Sequence, residues 1–394
     1  MKVLMINSCS GVGSTGRICT DLADALSEAG HTVKIGYARG TVPPKYEQIS
    51  RKIGKTCDEY WQGMLCRIFD NEGFGNKKST EKFIDWIEQY KPDIVHLHNL
   101  HGYYINVESL FEYLGKINVP VIWTLHDCWS FTGHCSYFDN VKCNKWKSKC
   151  KNCPQKKEYP SSYFLDSSEN NFARKKRLFT SLQKMIIVTP SEWLSNLVKQ
   201  SFLGKYPIEV IKNGVNTEIF CYKETDIMKK YHLEDKKVIL GVASPWSKRK
   251  GLNDFIKLSR ILPDEYKIML VGLDKKQIKG LPNDICAIKK TNDAYELAEL
   301  YNAAYAFVNP TYEDNYPTTN IEALACGTPV ITYKTGGSPE SAETSCVVEK
   351  GDYEGICEII KTSPKVLQDI PISTKQMKEN YLRLYNTIFN DKLL

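Results

Sequence analysis

Short apolar runs separated by helical stretches recur along the chain, and this alternation constrains the fold more than any other feature. In the first half the runs cover residues 2–7, 33–37, 94–97, 121–125 and 185–189. In the second half they cover residues 238–242, 267–271, 286–288, 306–308, 329–332 and 346–348. Buried strands that alternate with helices predict parallel, doubly wound sheets of the α/β class. Because 394 residues are too many for one compact core, the length predicts two or three domains. The two series of runs favour two doubly wound, Rossmann-like domains.

Residues 311–329 combine a strand end, a polar loop and the start of a helix. The loop carries Asp314, and the predicted helix begins at Thr318 and presents Glu322, eight positions after Asp314. Loops after parallel strands lie at the ligand-binding edge of a sheet, and the first turn of a helix has free N–H groups that attract anions. Carboxylates can accept hydrogen bonds from ribose hydroxyls. Thr318, Thr319 and Asn320 at the helix start therefore predict, with Glu322, a site for a nucleotide sugar.

This stretch resembles the E-x7-E signature of the family 4 retaining glycosyltransferases. Asp314 stands in the first acidic position, with a shorter side chain than the family's Glu, and Glu322 stands in the second. The resemblance continues through E-A-L-A-C-G-T-P-V, residues 322–330. It implies that Glu322 binds the ribose and that Asp314 contacts the donor sugar. The plainer alternative is a solvated loop carboxylate and a glutamate on a helix surface.

A glycine-rich loop follows the first apolar run. It contains Gly11, Gly13 and Gly16, and a helical stretch and the second run come after it. Such a loop lets the backbone approach a diphosphate closely, although the glycine spacing is not that of the dinucleotide fingerprint. The sequence G-S-T-G-R-I is similar to the amino terminus of the same transferase family. This similarity implies that Gly16 faces the donor phosphates.

Polar clusters follow two runs of the first half: His98, Asn99 and His101 after the third, and His126 and Asp127 after the fourth. Both clusters are therefore expected at the carboxyl edge, facing the cleft. The family resemblance implies that His126 lies near the donor sugar and has a catalytic role. The sequence H-D-x-W-x-F-T-G-H-C, which starts at His126, resembles a polysaccharide-assembly subgroup of colanic-acid type. The alternative is a set of structural histidines.

Three consecutive cations precede Gly251 on a loop after a strand: Lys248, Arg249 and Lys250. Cations at this edge are placed to neutralise a diphosphate, although a solvated run of charges is the alternative. The resemblance implies that Lys250 contacts the donor phosphates. Pro245 stands where the family has an Arg, which Arg249 or Lys248 could replace.

Four of the 14 cysteines crowd a Lys-rich insertion at 128–157: Cys135, Cys143, Cys150 and Cys153. Four thiolates suffice for a tetrahedral zinc, which would stabilise a segment with little apolar content of its own. We expect a structural zinc here. Free thiols and disulfides are the alternatives that the spacing leaves open.

The net charge of +7 is concentrated in one segment. Its lysines are Lys142, Lys145, Lys147, Lys149, Lys151, Lys156 and Lys157. Such a cluster could hold the protein against an anionic membrane or a lipid-diphosphate acceptor, or could be a solvated basic face. There is no nucleic-acid module, no apolar run of the roughly 20 residues that a membrane helix needs and no signal-peptide pattern. We therefore expect a cytoplasmic protein with peripheral contact at the inner face of the plasma membrane.

The resemblance implies a GT-B architecture in which two domains face a central cleft. The expected domains are an N-terminal acceptor domain, 1–205, and a nucleotide-sugar-binding domain, 206–372, with a helix at 373–394 that returns to the first domain. The implied reaction is retaining transfer from a nucleotide sugar, favoured to be a UDP-sugar, to a lipid-linked or oligosaccharide acceptor. Because no D-x-D triplet is present, catalysis is expected to need no metal. The alternatives are a non-catalytic nucleotide-sugar-binding or scaffolding subunit and a nucleotide-sugar epimerase.

Overall fold

The computed structural model describes residues 1–362, 364, 366 and 371–390. The chain divides into two compact units. The first unit consists of Met1–Lys212 together with Met377–Leu394, and the second is Asn213–Gln376.

The first unit is built on strands that alternate with helices. In chain order its elements are β1 (Lys2–Cys9), α1 (Gly13–Glu28), β2 (Thr32–Arg39), β3 (Ser50–Lys52), α2 (Thr56–Phe69), α3 (Lys77–Tyr90), β4 (Ile94–Leu97), α4 (Val107–Ile117), β5 (Val121–Thr124), α5 (Ser168–Phe179), β6 (Met185–Thr189), α6 (Glu192–Lys199) and β7 (Ile208–Val210). The strands form one parallel sheet in the order β3-β2-β1-β4-β5-β6-β7. The order reverses between β1 and β4, so a crevice opens beyond their carboxyl ends.

The second unit repeats the same arrangement on a smaller scale. Its elements, followed by the last helix of the chain, are β8 (Lys237–Val242), α7 (Leu252–Ser259), β9 (Tyr266–Val271), α8 (Lys275–Lys279), β10 (Cys286–Ile288), α9 (Ala294–Ala303), β11 (Ala306–Asn309), α10 (Thr318–Ala325), β12 (Val330–Tyr333), β13 (Val347–Val348), α11 (Tyr353–Lys361) and α12 (Thr374–Phe389). The sheet is parallel, in the order β10-β9-β8-β11-β12-β13. Here the order reverses between β8 and β11.

Burial on both faces explains why the strands are continuous apolar runs. In β8, Val238 and Leu240 belong to one buried cluster, whereas Ile239 belongs to another. Because neighbouring side chains of a strand point to opposite faces, the two clusters lie on the two sides of the sheet. Each predicted run overlaps a strand, so the two parallel, doubly wound sheets confirm the predicted fold class.

The last helix packs against the first sheet. Tyr385 and Tyr381 of α12 are buried, and the Tyr385 hydroxyl lies 2.6 Å from His96 Nδ1. The Tyr381 hydroxyl lies 3.0 Å from Thr124 Oγ1, and the same threonine lies 2.8 Å from His96 Nε2. Both polar atoms of the His96 ring are thus satisfied, which allows a histidine to stand inside a buried strand.

Candidate active site

Two loops of the second unit meet beyond the carboxyl ends of β8 and β11. Lys250, at the end of the β8 loop, places its Nζ 2.5 Å from Oδ2 of Asp314 in the β11 loop. Burial alone would raise the pKa of Asp314, but the charges of Lys250 and Arg249 hold that pKa below its usual value. Asp314 is therefore an anion at neutral pH, and its side chain is largely shielded from solvent.

Backbone contacts hold the two loops together. Arg249 donates a hydrogen bond to the Glu313 carbonyl, and its own carbonyl accepts one from the Tyr312 N–H at 2.7 Å. Gly251 adopts a φ of +74°, and a Cβ there would lie 2.2 Å from the Pro310 carbonyl oxygen. Only glycine lets the loops approach this closely, so Gly251 determines where Lys250 is presented.

The carbonyl side of Asp314 is also tightly packed. Gly336, with a φ of +56°, lies so close that a Cβ would be 1.7 Å from the Asp314 carbonyl oxygen. The Asn315 N–H donates to Asp314 Oδ1 at 3.0 Å. These contacts fix the carboxylate on the β11 loop, next to the start of α10.

Helix α10 presents the remaining residues that were predicted in the second unit. Its N-cap is Pro317, which makes no side-chain cap, and Thr318 and Thr319 are half-buried in its first turn. Glu322 is buried and its Oε2 accepts a hydrogen bond from the Tyr301 hydroxyl at 3.3 Å. The first turn therefore has N–H groups without a side-chain cap, which is a suitable arrangement for an anion.

The Asn320 side chain lies inside the protein. Its Oδ1 accepts from Asn309 Nδ2 at 2.7 Å, and its Nδ2 donates to Ser338 Oγ at 3.2 Å and to Ser341 Oγ at 3.0 Å. This network connects α10 to the end of β11 and to the turn after β12. Asn320 thus holds the helix in position.

Asp254, which was not predicted from the sequence, connects the start of α7, next to the Lys250 loop, with the β11 loop and β12. Its Oδ2 accepts hydrogen bonds from the Tyr312 hydroxyl at 2.7 Å and the Tyr333 hydroxyl at 3.0 Å. Asp254 lies in the first turn of α7 and is buried. The only sequence signal for Asp254 is its position three residues after Gly251, and that position alone does not predict a structural role.

The first unit places the glycine-rich loop at the carboxyl end of β1. Gly13 begins α1, whose N-cap Val12 makes no side-chain cap. The Gly11 N–H donates to the Gly16 carbonyl at 3.0 Å, which closes the loop. Asn7 accepts a hydrogen bond from the Asn99 N–H at 3.3 Å and so connects the ends of β1 and β4. The loop and Asn99 therefore lie together where the strand order reverses.

Three histidines form a stack that begins inside β4, at His96, and continues past the ends of β4 and β5. The rings of His96 and His98 are 4.1 Å apart, and His98 Nδ1 lies 3.1 Å from His126 Nε2. Burial lowers the pKa of His126 to about 4, that of His96 to about 3 and that of His98 well below its usual value. All three rings are therefore neutral at pH 7, and His126 can act through a hydrogen bond but not as a cation.

His101 and Asp127 form a second polar pair. His101 Nε2 lies 2.8 Å from Asp127 Oδ2, and His101 Nδ1 lies 3.0 Å from the Tyr159 hydroxyl. Burial would raise the pKa of Asp127, but His101 and the Trp129 N–H keep that pKa below its usual value. Four of the five predicted residues after β4 and β5 thus belong to two contacting groups, the histidine stack and this pair. The fifth, Asn99, contacts Asn7 of β1.

Glu72 is a buried carboxylate that the sequence analysis did not identify. It accepts hydrogen bonds from the Gly102 N–H at 2.6 Å and the Tyr103 N–H at 3.0 Å, and burial raises its pKa. It therefore holds the loop that carries His101. Glu72 lies in the turn between α2 and α3, where hydrophobic periodicity gives no signal.

The cysteine segment does not support the predicted zinc. Cys135, Cys143, Cys150 and Cys153 line one cavity of about 10 Å³, but they are free thiols. Within residues 1–362, 364, 366 and 371–390, no group of three or more His, Cys, Asp or Glu is arranged to hold a metal ion. The described residues therefore do not support the predicted zinc, and the four cysteines form no disulfides.

The segment packs its aromatic side chains into the buried core of the first unit. Phe138 stacks on Trp146 with ring centroids 5.0 Å apart, and Phe131 meets Trp146 at 5.3 Å. All three rings are buried, and the cysteines pack against the same cluster. Burial of these rings stabilises the cysteine segment, a role that was predicted for a metal ion.

Two family descriptions match most of the chain. "Glycosyltransferase Family 4" matches residues 15–219, and "Glycosyl transferases group 1" matches residues 223–364.

Curated relatives cover one or both units. The chain is 25% identical over 348 residues to the putative colanic acid biosynthesis glycosyl transferase WcaC of Escherichia coli (strain K12). The aligned region covers 82% of this chain and 83% of that protein. It is 29% identical over 197 residues to the capsular polysaccharide biosynthesis glycosyltransferase CapM of Staphylococcus aureus, covering 44% of this chain and 51% of that protein.

Solved structures share the whole fold. Sucrose-phosphate synthase (tll1590) from Thermosynechococcus elongatus has a TM-score of 0.72 at 18% identity and covers 99% of both chains. Anabaena Alr3699/HepE in complex with UDP has a TM-score of 0.68 at 15% identity, covering 98% of this chain and 100% of that one. With the two parallel sheets, these likenesses confirm the predicted GT-B fold.

Proposed function

The chain is a glycosyltransferase that belongs to family 4, and we propose that it transfers a sugar, with retention, from a UDP-sugar to a lipid-linked or oligosaccharide acceptor. The observation that carries the proposal is the meeting of Lys250, Arg249 and Asp314 beside the first turn of α10, in the second unit. This group offers cations and N–H groups to a diphosphate and a carboxylate to a sugar.

Stabilising the leaving diphosphate is the main physical task in this reaction. As the bond to the anomeric carbon breaks, negative charge accumulates on the diphosphate and positive charge on the sugar. Lys250 and Arg249 neutralise the phosphates, and the N–H groups of Thr318 and Thr319 bind them. Arriving phosphates compete with Asp314 for Lys250, which frees the carboxylate to accept hydrogen bonds from the sugar.

The other predicted residues have supporting roles in this proposal. Glu322 binds the ribose hydroxyls, while the backbone at Gly13 and Gly16 approaches the diphosphate. His126 is neutral at pH 7 and donates or accepts a hydrogen bond to the sugar. The acceptor hydroxyl loses its proton to a diphosphate oxygen on the same face of the sugar.

Three observations support the choice of donor and acceptor. Solved GT-B neighbours contain UDP and UDP-glucose. Relatives are described as colanic acid and capsular polysaccharide glycosyltransferases, and another is a processive diacylglycerol alpha-glucosyltransferase. The reaction is accordingly assigned to cell-surface polysaccharide or glycolipid assembly at the cytoplasmic face of the membrane, which the Lys-rich segment contacts. The sequence has no D-x-D triplet, so the reaction is proposed to need no divalent ion.

A non-catalytic nucleotide-sugar-binding subunit is the second candidate. It is favoured by Asp314 in place of Glu and by Pro245 where the family has an Arg. Turnover separates the two functions.

The test is hydrolysis and transfer with a panel of nucleotide sugars, with and without EDTA. The Glu322→Ala variant is compared with Glu349→Ala, since Glu349 is an exposed glutamate paired only at the surface with Lys334. One nucleotide sugar should be consumed with or without EDTA, by the wild type and Glu349→Ala but not by Glu322→Ala. Tight binding of a nucleotide without turnover, even with lipid acceptors, would favour the binding subunit.

A further inference from the structure

Helix α2 has its apolar face outside. The side chains that face the protein are small or polar, namely Gln62, Gly63 and Cys66. Leu65 is half-buried, and the other large apolar side chains of the helix are exposed: Tyr60, Trp61, Met64, Ile68 and Phe69. Trp61 is 62% exposed and Tyr60 is 75% exposed. Residues 60, 64 and 68 are spaced at four, so the exposed side chains form a stripe along the helix.

A second exposed apolar segment is bonded to the end of this helix. Tyr163, Phe164 and Leu165 are all exposed, Phe164 by 72%. The Tyr163 N–H donates to the Arg67 carbonyl at 2.8 Å, and the Leu165 N–H donates to the Ile68 carbonyl at 3.0 Å. The segment thereby satisfies carbonyls at the end of α2 and lies beside its stripe. We call the stripe and this segment together the α2 patch.

Such a concentration is unusual for a surface that faces only water. Single exposed apolar residues are normal, but contiguous groups of large ones mark surfaces that contact a partner or a membrane. The patch contains one Trp and two Tyr, whose rings combine an apolar body with a polar tip. Side chains of this kind favour the headgroup region of a bilayer.

The Lys-rich segment adjoins the patch. Residues 142–157 contain seven lysines and no Asp or Glu. Lys156 Nζ donates to the Phe164 carbonyl at 3.0 Å, and the Cys153 N–H donates to Asp166 Oδ2 at 2.6 Å. Only Lys149 has a close acidic partner in the described structure, Glu169 at 2.5 Å. An apolar patch bordered by uncompensated lysines complements an anionic lipid surface.

We infer that the α2 patch docks on an anionic membrane, with its aromatic side chains among the headgroups and the lysines over the lipid phosphates. No helix in the described part of the chain is long and apolar enough to span a bilayer, so docking would be peripheral. The inference rests on the proposed function for its purpose, because a lipid-linked acceptor is presented at the membrane. Docking itself needs neither donor nor acceptor.

The experiment is sedimentation of the full chain with vesicles, without any nucleotide sugar. Vesicles of phosphatidylcholine mixed with phosphatidylglycerol are compared with vesicles of phosphatidylcholine alone. The Trp61→Ser/Phe164→Ser variant should bind the anionic vesicles at least about tenfold more weakly, since two aromatic side chains no longer enter the lipid. The matched control is Tyr222→Ser/Tyr295→Ser, which removes two aromatics that are 73% and 59% exposed in the second unit. It should bind like the wild type.

The charge contribution is tested with Lys147→Glu/Lys151→Glu against the control Lys289→Glu/Lys290→Glu. The first variant should lose affinity for anionic vesicles only, and added salt should reduce the difference. Thermal unfolding verifies that each variant folds, which surface substitutions should leave nearly unchanged.

Two results would overturn the inference. One is equal vesicle binding by the wild type and the Trp61→Ser/Phe164→Ser variant. The other is a wild-type dimer that this variant converts to monomers while its vesicle binding persists, because the patch would then be an interface between two copies. Failure of the proposed function would be seen in a different assay. If the protein binds vesicles but consumes no nucleotide sugar, the proposed function is contradicted and the docking surface is still supported.

Discussion

Replacing Lys250 by Met would leave the Asp314 carboxylate buried without its closest cation. The two charged atoms are 2.5 Å apart, and the side chains are 22% and 13% exposed. At this distance the attraction is about 7 kcal/mol for an effective dielectric constant of about 20. Desolvation of both ions offsets most of this energy, so we expect a net coupling of about 2 kcal/mol.

A double-mutant cycle measures this coupling. Urea unfolding is followed for the wild type, Lys250→Met, Asp314→Asn and the double variant. Each single variant should lose about 2 kcal/mol or more, and the double variant should lose little beyond one single variant. The control cycle uses Lys334→Met and Glu349→Gln, a pair with side chains 68% and 75% exposed, where the coupling should be much smaller.

Donor turnover in the same four proteins separates stability from chemistry. Lys250→Met should lower kcat by about 10²–10³, because one cation no longer stabilises the leaving diphosphate. The double variant should be about as stable as Lys250→Met and should not regain activity. Additive single effects would refute the ion pair as an organising contact. Restored turnover in the double variant would show that Lys250 acts only by neutralising Asp314.

Three further predictions concern the glycine contact, the histidine stack and the cysteine segment. Gly251→Ala should destabilise the protein by about 1–3 kcal/mol in urea unfolding, and more than Gly30→Ala, because Gly30 has a φ of +77° but open space for a Cβ. Burial lowers the pKa of His126 to about 4 in the folded protein, whereas a histidine of the unfolded chain has a pKa of about 6.5. Between pH 6.5 and pH 4, roughly, the unfolded chain therefore binds more protons, so the free energy of unfolding should fall as the pH falls through this range. His126→Gln should make that fall shallower, and an unchanged slope would contradict the assignment. EDTA should leave the unfolding temperature unchanged, and zinc that copurifies with the protein would contradict the free thiols.

Much of the fold was readable because it depends on local burial. A strand that is covered on both faces is apolar along most of its length. Runs such as 94–97 and 306–308 can therefore be recognised in the sequence as strands. The final helix, predicted at 373–394, is observed as Thr374–Phe389, and residues 391–394 lie outside the described part of the chain. Strand β3 was missed because Ser50–Lys52 is a short, polar strand at the edge of the sheet.

The candidate site was readable only where it is continuous in sequence. Asp314 and Glu322 lie within one loop and helix, and their spacing is visible in the chain itself. The zinc prediction, which the structure does not support, rested on four cysteines in a segment that was expected to have little apolar content. Phe131, Phe138 and Trp146 are separated along the chain, and they form a buried cluster only after folding.

The fold class, the positions of nearly all strands and the family could be predicted from the sequence, because they depend on burial patterns and motifs within a few residues of each other. Which side chains contact one another depends on how the elements pack. Lys250 and Asp314 are 64 residues apart, and His96 and Tyr385 are 289 apart. Such contacts depend on the order of strands in a sheet and on where the last helix packs. Hydrophobic periodicity in the sequence predicts neither of these, because it indicates only which face of each helix or strand is buried.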